Sequence, residues 1–548
     1  MKNALQPSLL GSRRILAWTE VLLIFLLFFA IGGSAAPDVN EAHYLAKARH
    51  YWDTSWCPSD FFLASVDAHT VFYWTLGWLT QFLSLTAVAW TGRTITWLLL
   101  AWSWRRLSVA VVPGPWMSLL TAGLYTGLLR WGPMAGEWVI GGVEAKSFSY
   151  VFVFLGLEAI VRRRWRAVWL LLGAATSFHV LVGGWSFVAA FCAWIATSED
   201  RLAWKSLLPW IVGGALFALP GLVPALTLTW GTDPAIVREA NQIYVFERLS
   251  HHLVFHRLPT AHVVRFMILL GCWSGMLWYA RVQGATRRLH AFVMGAVGIG
   301  VLGVFIDQAT VGLAVVGNRF GFADLYLRPL VAALLRYYWF RLSDVMVPLG
   351  AAFLMAELLQ RLARSRPVAG QYCLAGTVVL VMLHVGEIAF GRWQDPRPPA
   401  VIQSMTRQDN TDEELARLHA GWRTTCAWIA NNTPGDALFL TPRNQQTFKW
   451  DAQRGEVVNW KDIPQDACGI MEWHRRTGEL YPRQVEQLGL VMHGEAALIR
   501  LSKEYGFEYV VMDRTCSGRR LNLRRVFPLY RDPRNPFEVY RMPAVATR

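Results

Sequence analysis

Residues 15–45 read ILAWTEVLLIFLLFFAIGGSAAPDVNEAHYL, an apolar run that breaks at Gly32-Gly33 and gives way to the charged segment Asp38-Val-Asn40-Glu41-Ala-His43-Tyr44. An uninterrupted run of about 20 apolar residues matches the hydrocarbon thickness of a bilayer. Arg13-Arg14 before it and the small residues Ser34-Ala35-Ala36 after it also suit a secretory leader. Ten further apolar stretches follow, so the run reads as an uncleaved first membrane helix with its N-terminus inside. Carboxylates at such a membrane exit are costly unless solvated or employed.

Working outward, spans are expected near 15–36, 88–104, 116–134, 148–161, 167–181, 184–197, 207–228, 263–280, 290–309, 344–362 and 370–389, about eleven in all. The connectors Arg105-Arg106, Arg162-Arg163-Arg164 with Arg166, Arg201 with Lys205, Arg281 with Arg287-Arg288, and Arg361 with Arg364 and Arg366 all fall on one side of an alternating topology. Cationic loops mark the cytoplasmic side. The opposite loops, 37–87, 135–147, 229–262 and 310–343, are then external, as is everything after residue 390. The expected architecture is a polytopic α-helical membrane domain over 1–390 and an extracytoplasmic α/β domain over 391–548. The chain would sit in the cytoplasmic (inner) membrane.

Composition agrees with that class. Of 548 residues 54% are hydrophobic, and the formal charge of +15 lies in short clusters between apolar blocks. That distribution follows membrane topology and argues against nucleic-acid binding. The cysteines show no CxxC spacing, and pairing among Cys426, Cys468 and Cys516 stays open. Residues 69–86 are apolar and aromatic without being a span, and read as an interfacial helix anchored by Trp74 and Trp78. The segment 325–340 looks similar. After the stiff linker Asp395-Pro-Arg397-Pro-Pro399 come a helix at 412–431, strands at 437–440, 456–460 and 509–512, a helix at 494–505 and a final edge strand at 537–542.

The chemistry concentrates in the external loops. A helix over 41–52 would take Asp38 as its N-cap, with Glu41 favoured by the helix dipole. That is the bland reading of these two carboxylates. Glu144 and Lys146 follow Gly141-Gly142 and either form a neutralising pair or hold substrate. His179 lies on a short hairpin, where packing competes with a substrate contact. Arg248, His251, His252, Arg336 and Arg341 are external cations or imidazoles, with aromatics between Arg336 and Arg341 that also suit plain interface anchoring. His252 and His256 stand at i, i+4 without the glutamate of a zinc-protease helix. Gly298-Ile-Gly300-Val-Leu-Gly303 matches a dinucleotide fingerprint but lies mid-span with no preceding strand, so it reads as helix packing. In the last domain Lys449, Arg454, Lys461 and Arg475-Arg476 interleave with Trp450, Trp460 and Trp473, suiting either a glycan surface or a basic lid.

The order of a first span, an acidic external segment, a short helix ending in Asp60-Phe-Phe-Leu63, Asp67-Ala-His69-Thr-Val-Phe72-Tyr73-Trp74, and a Gly92-Arg93 step into the second span resembles the GT-C superfamily of membrane glycosyltransferases. The likeness covers roughly 15–390 in topology and 37–106 at residue level. It implies a polyprenyl-phosphate-linked sugar donor, a glycan, lipid or protein acceptor, and an inverting transfer. An Asp or Glu of the first external loop would be the base, here Glu41 first and Asp38 second. The adjacent Asp-Glu pair of the family is replaced by Asp-Val-Asn-Glu. His43, His69, Glu144, Lys146, His179, Arg248, His251, His252, Arg336 and Arg341 become expected substrate contacts, and Glu144 with Asp38 the ligands of any divalent Mg or Mn. A carboxylate takes the acceptor proton while cations stabilise the departing phosphate. A transporter or flippase of lipid-linked glycans and a non-catalytic scaffold derived from the same fold are the rival readings.

Overall fold

The computed structural model describes residues 7–197, 202–317, 327–406, 410–517, 519–530 and 532–543, with backbone alone over 7–13 and 310–317. A helix occupies each of the eleven expected stretches, from Pro7–Gly32 to Pro367–Gln394. Six of them are long and apolar enough to cross a membrane: Arg14–Gly32, Trp204–Thr227, Thr260–Ala280, Gly284–Ala309, Arg341–Ser365 and Pro367–Gln394. The count of eleven spans therefore does not carry over. Met117–Trp131, Ala145–Val161, Trp165–Phe178 and Val180–Ala196 have only 14 to 17 residues. At about 1.5 Å per residue they fall short of the roughly 30 Å hydrocarbon core. Leu85–Val111 is long enough but carries Arg93, Arg105 and Arg106.

The bundle core is aromatic. Trp104 stacks on Tyr125 at 4.5 Å and on Phe353 at 5.2 Å between ring centroids. Trp165–Phe178 and Trp204–Thr227 meet backbone to backbone at Gly173 and Gly214, where a Cβ on Gly173 would fall 2.1 Å from the Gly214 carbonyl oxygen. Small residues let helices approach this closely. Gly300 and Gly303 do the same against Ser343 and Trp339, in keeping with a packing role for that glycine run.

Charge separates along the bundle. At one end Arg105 pairs with Glu20, Arg106 and Arg162 with Glu158, and Arg288 and Arg361 bond the carbonyls of Val161 and Ala280. The first-loop carboxylates, the 135–147 loop and the C-terminal domain gather at the other. Of the expected loop 310–343, residues 318–326 lie outside the described residues.

The first loop differs from expectation in two places. The helix Glu41–Trp52 forms, but its N-cap is Asn40, and the Asp38 carboxylate turns instead to the 141–143 loop. The stretch 69–86 breaks into short turns, Thr70–Trp74 and Gly77–Gln81. A Cβ on Gly77 would lie 2.9 Å from the Ala48 Cβ, so the chain bends there to pack on the preceding helix.

The C-terminal domain carries one sheet, from β1 (Leu438–Leu440), β2 (Gly455–Glu456), β3 (Tyr509–Asp513), β4 (Arg524–Phe527) and β5 (Phe537–Arg541). Its order is β2-β1-β3-β5-β4, with parallel pairing on both sides of β1 and antiparallel pairing of β5 with β3 and β4. β5 is thus internal, and β4 takes the edge expected of it. The helix Asp412–Asn432 opens on a reciprocal Thr411–Glu414 capping box and buries Trp422, Cys426 and Ile429 against the sheet. Cys426 and Cys468 are free thiols. One core runs from this domain into the membrane part, joining Ala240 and Ile243 to Trp473, Leu498 and Val510.

Candidate active site

Two loops lock together beneath the C-terminal domain. Glu41 is fully buried and grips Arg93 in a bidentate pair, Nε to Oε1 at 2.6 Å and NH2 to Oε2 at 2.5 Å. The Val143 amide donates to its Oε1 and the Asp38 amide to its Oε2, each at 2.8 Å. The Gly142 amide donates to Asp38 Oδ2 at 2.8 Å. This needs a bare backbone at 142, since a Cβ there would lie 2.5 Å from the Asp38 Cβ and 3.0 Å from the Glu41 side chain. Glu41 lines neither of the two cavities described below. Its two oxygens accept four hydrogen bonds, which hold the two loops and Arg93. Asp38 remains half-buried at the rim, and burial, then the nearby Glu41 charge, raises its pKa above the ordinary carboxylate value.

A cavity of about 190 Å³ lies at the seam of these loops with the C-terminal domain. His43, Glu144, Lys146, His179, Arg248, His252 and Arg341, all expected site residues, meet in its wall. Lys461 and Gln465 close it from the C-terminal domain. Glu137 joins them, paired with Arg341 Nε at 3.0 Å and Lys146 Nζ at 3.3 Å. Lys146 also approaches Glu144 at 3.5 Å, and Asn40 donates to the same Glu144 oxygen at 3.2 Å. The Glu137 loop is hung from Asp344, whose carboxylate accepts the amides of Met134 and Ala135 at 2.8 Å. Arg248 arrives at the end of a π-helical turn, Ile243–Arg248, and donates to the carbonyls of Trp460 and Lys461. Wide turns of this kind recur at functional sites.

A second cavity of about 660 Å³ adjoins the first and shares Asn40, Gly136, Trp138, Arg248, His252 and Lys461 with it. Asp38 and His251 line it together with Arg443, Trp460, Ile31, Gly32 and Ile140. Arg443 lies 3.8 Å over the Trp460 ring. His252 rests on the Ala135 carbonyl at 2.6 Å, and burial brings its pKa down to about 3, so it is a neutral imidazole. Burial, then the neighbouring Arg248, lowers Lys461 to about 8. Among the described residues no carboxylate pairs with the Lys461 ammonium. An ammonium so placed calls for an anionic guest.

The C-terminal domain is fastened by a buried ionic hub. Lys449 Nζ reaches Glu456 at 2.6 Å, Asp462 at 2.7 Å and Asp60 of the first loop at 3.6 Å. Asp462 in turn accepts His43 Nδ1 at 3.0 Å. Burial pushes the Asp462 carboxyl up, but Lys449 and His43 outweigh it and hold the group well below the ordinary range.

Two expected contacts sit elsewhere. His69 stands behind Tyr44, within 3.2 Å of its hydroxyl and 3.1 Å of Gln465, without lining either cavity. Arg336 ties Asn241 to the Gln465 carbonyl and lines neither cavity. In the C-terminal domain only Trp460 and Lys461 of the basic-aromatic set reach the cavities. Trp450 and Trp473 are core, and Arg454 caps the carbonyls of Ala430 and Thr433. Asp307 holds His256, leaving no His252–His256 metal pair.

The residues present do not fit a divalent metal. Among the described residues no group of three or more His, Cys, Asp or Glu side chains is placed to hold one. The Lys146 ammonium already stands between Glu137 and Glu144, where a bridging cation would go. Asp38 points its oxygens at backbone amides.

The model of a domain of unknown function, DUF6798, matches residues 420–480, which carry Lys449, Glu456, Lys461 and Asp462. No curated protein matches the chain. Among solved structures, the chain is similar to the archaeal oligosaccharyltransferase AglB from Archaeoglobus fulgidus, in complex with an inhibitory peptide and a dolichol-phosphate. The TM-score is 0.44 and the identity 10%, over 91% of this chain and 69% of that one. A likeness of that size carries no argument about residues or substrate.

Proposed function

We propose that this chain is a membrane glycosyltransferase that moves a sugar from a polyprenyl-phosphate donor to a hydroxyl of a glycan, lipid or protein acceptor, with inversion, at the outer face of a cytoplasmic membrane. The observation that carries this reading is the cavity where Lys146, Arg248, Arg341 and Lys461 converge beside a second cavity holding Asp38. Four cations against two carboxylates leave room for a phosphate. Arg341 and Arg248 suit its oxygens by their forked donors. As the bond to the sugar breaks, charge grows on the phosphate, and these fixed cations stabilise it. Asp38, whose raised pKa suits a proton acceptor, takes the acceptor's hydroxyl proton from the adjoining cavity. Glu41 and Arg93 hold the loop that aims it.

The test is transfer by the full chain in lipid nanodiscs, using undecaprenyl-phosphate-linked hexoses and hydroxyl acceptors. Asp38→Asn should abolish product while the protein stays folded. Full activity in Asp38→Asn would remove the base assigned here. Movement of intact lipid-linked sugar across vesicles without product would favour a flippase.

A further inference from the structure

His43 is set in the wall of the phosphate-side cavity with its ring fixed by the other domain. Its Nδ1 lies 3.0 Å from Asp462 Oδ1, and Phe62 packs against the ring at 4.4 Å between centroids. With Nδ1 taken, Nε2 is the nitrogen left for the cavity, and it has no partner among the described residues. Asp462 is itself immobilised by Lys449 at 2.7 Å and by the Asn459 amide group at 2.8 Å. A buried carboxylate on one ring nitrogen, with the other turned to a reaction cavity, is how an imidazole is prepared for proton transfer.

We infer that His43 is a catalytic acid on the departing phosphate, with Asp462 as its positioning residue, so that the C-terminal domain completes the active site. This rests on the glycosyl-transfer reading above. The step balances. The acceptor oxygen forms a bond to the anomeric carbon and loses its proton to Asp38. The bond from that carbon to the phosphate oxygen breaks, its electron pair stays on the oxygen, and His43 Nε2 delivers a proton there. Solvent then deprotonates Asp38 and reprotonates His43. Acid and base thus occupy separate cavities on the two sides of the sugar, an arrangement in which environment assigns the two roles.

The charged groups around His43 are Asp462, Glu137 and Glu144, against Lys146, Arg248, Arg341 and Lys461, with Lys449 behind Asp462. The imidazolium is supported by Asp462 and by the incoming phosphate, and opposed by the four cations. Protonated His43 should therefore matter most when phosphate is bound.

The experiment uses undecaprenyl phosphate, the leaving group, titrated across pH into full-length protein in nanodiscs, beside transfer rates. In His43→Gln, affinity at low pH should fall about tenfold, the worth of one charge-assisted hydrogen bond. The difference should narrow toward alkaline pH. The pH profile of the transfer rate should change in His43→Gln and again in Asp462→Asn, which takes the carboxylate away from Nδ1. His43→Gln leaves the Lys449 hub with all its carboxylates, so it remains informative if Asp462→Asn misfolds. Unchanged affinity and an unchanged pH profile in His43→Gln would overturn the assignment while leaving glycosyl transfer standing. Failure of the parent protein to bind undecaprenyl phosphate at any pH would overturn both.

Discussion

Arg93 and Glu41 form a bidentate ion pair, fully buried, between the second long helix and the first loop. A pair of this kind contributes little net stability over an apolar replacement, but removing one partner strands a charge. Glu41→Gln should therefore destabilise the protein by about 3–5 kcal/mol. The loss should appear as lowered melting temperature and poor recovery from membranes. Leucine at both 41 and 93 should recover part of that stability without restoring activity, because the loop still loses the Val143 and Asp38 amide bonds.

Asp38 should behave in the opposite way. Asp38→Asn keeps an oxygen for one of the Gly142 and Val39 amides, so stability should fall modestly, while transfer falls by roughly 10²–10⁴. Gly142→Ala checks the geometry independently. Its new Cβ would collide with Asp38, and transfer should drop although every charged group of the site is retained. Rates measured beside thermal unfolding separate the two effects.

Lys461 sets a pH dependence of binding. Its pKa of about 8 means the ammonium is present below that pH and lost above it. Affinity for undecaprenyl phosphate should fall as pH rises through 8. Lys461→Arg, charged throughout, should bind with a flatter profile, and Lys461→Gln should bind weakly at every pH. A binding isotherm at each pH decides among these outcomes.

The Lys449 hub should govern docking of the C-terminal domain. Lys449→Met leaves Asp60, Glu456 and Asp462 buried together without their cation, and should cost about 3–5 kcal/mol. In the parent protein the Asp462 pKa is depressed, so its contribution is complete above the ordinary carboxylate range near 4 and fades as pH falls below it. Limited proteolysis across pH, read in the 410–543 region, should show cleavage rising on the acid side and at all pH values in Lys449→Met.

Much of this was legible in the sequence, and the rest fails for physical reasons. Apolar runs located every long helix, because hydrophobicity over about 20 residues is a local property. Length separates a span from a buried helix, and runs such as Trp165–Phe178 are too short to decide. Seven of the expected contacts meet in one cavity wall. The Glu41–Arg93 pair spans 52 residues and gives no local sign in the sequence. Glu137 carries a signal in the sequence, a second carboxylate in the same 135–147 loop as Glu144. Asp462 had none, since its meaning comes from His43, 419 residues away.

The central claim is that a lipid phosphate seats among Lys146, Arg248, Arg341 and Lys461. A structure of the full chain in nanodiscs with undecaprenyl phosphate tests it most directly. The account predicts phosphate density within hydrogen-bond reach of these side chains and of His43 Nε2, with the prenyl chain running toward the bilayer. Phosphate density at the opposite, Arg-rich end of the bundle, or an empty cavity at saturating lipid, would contradict it.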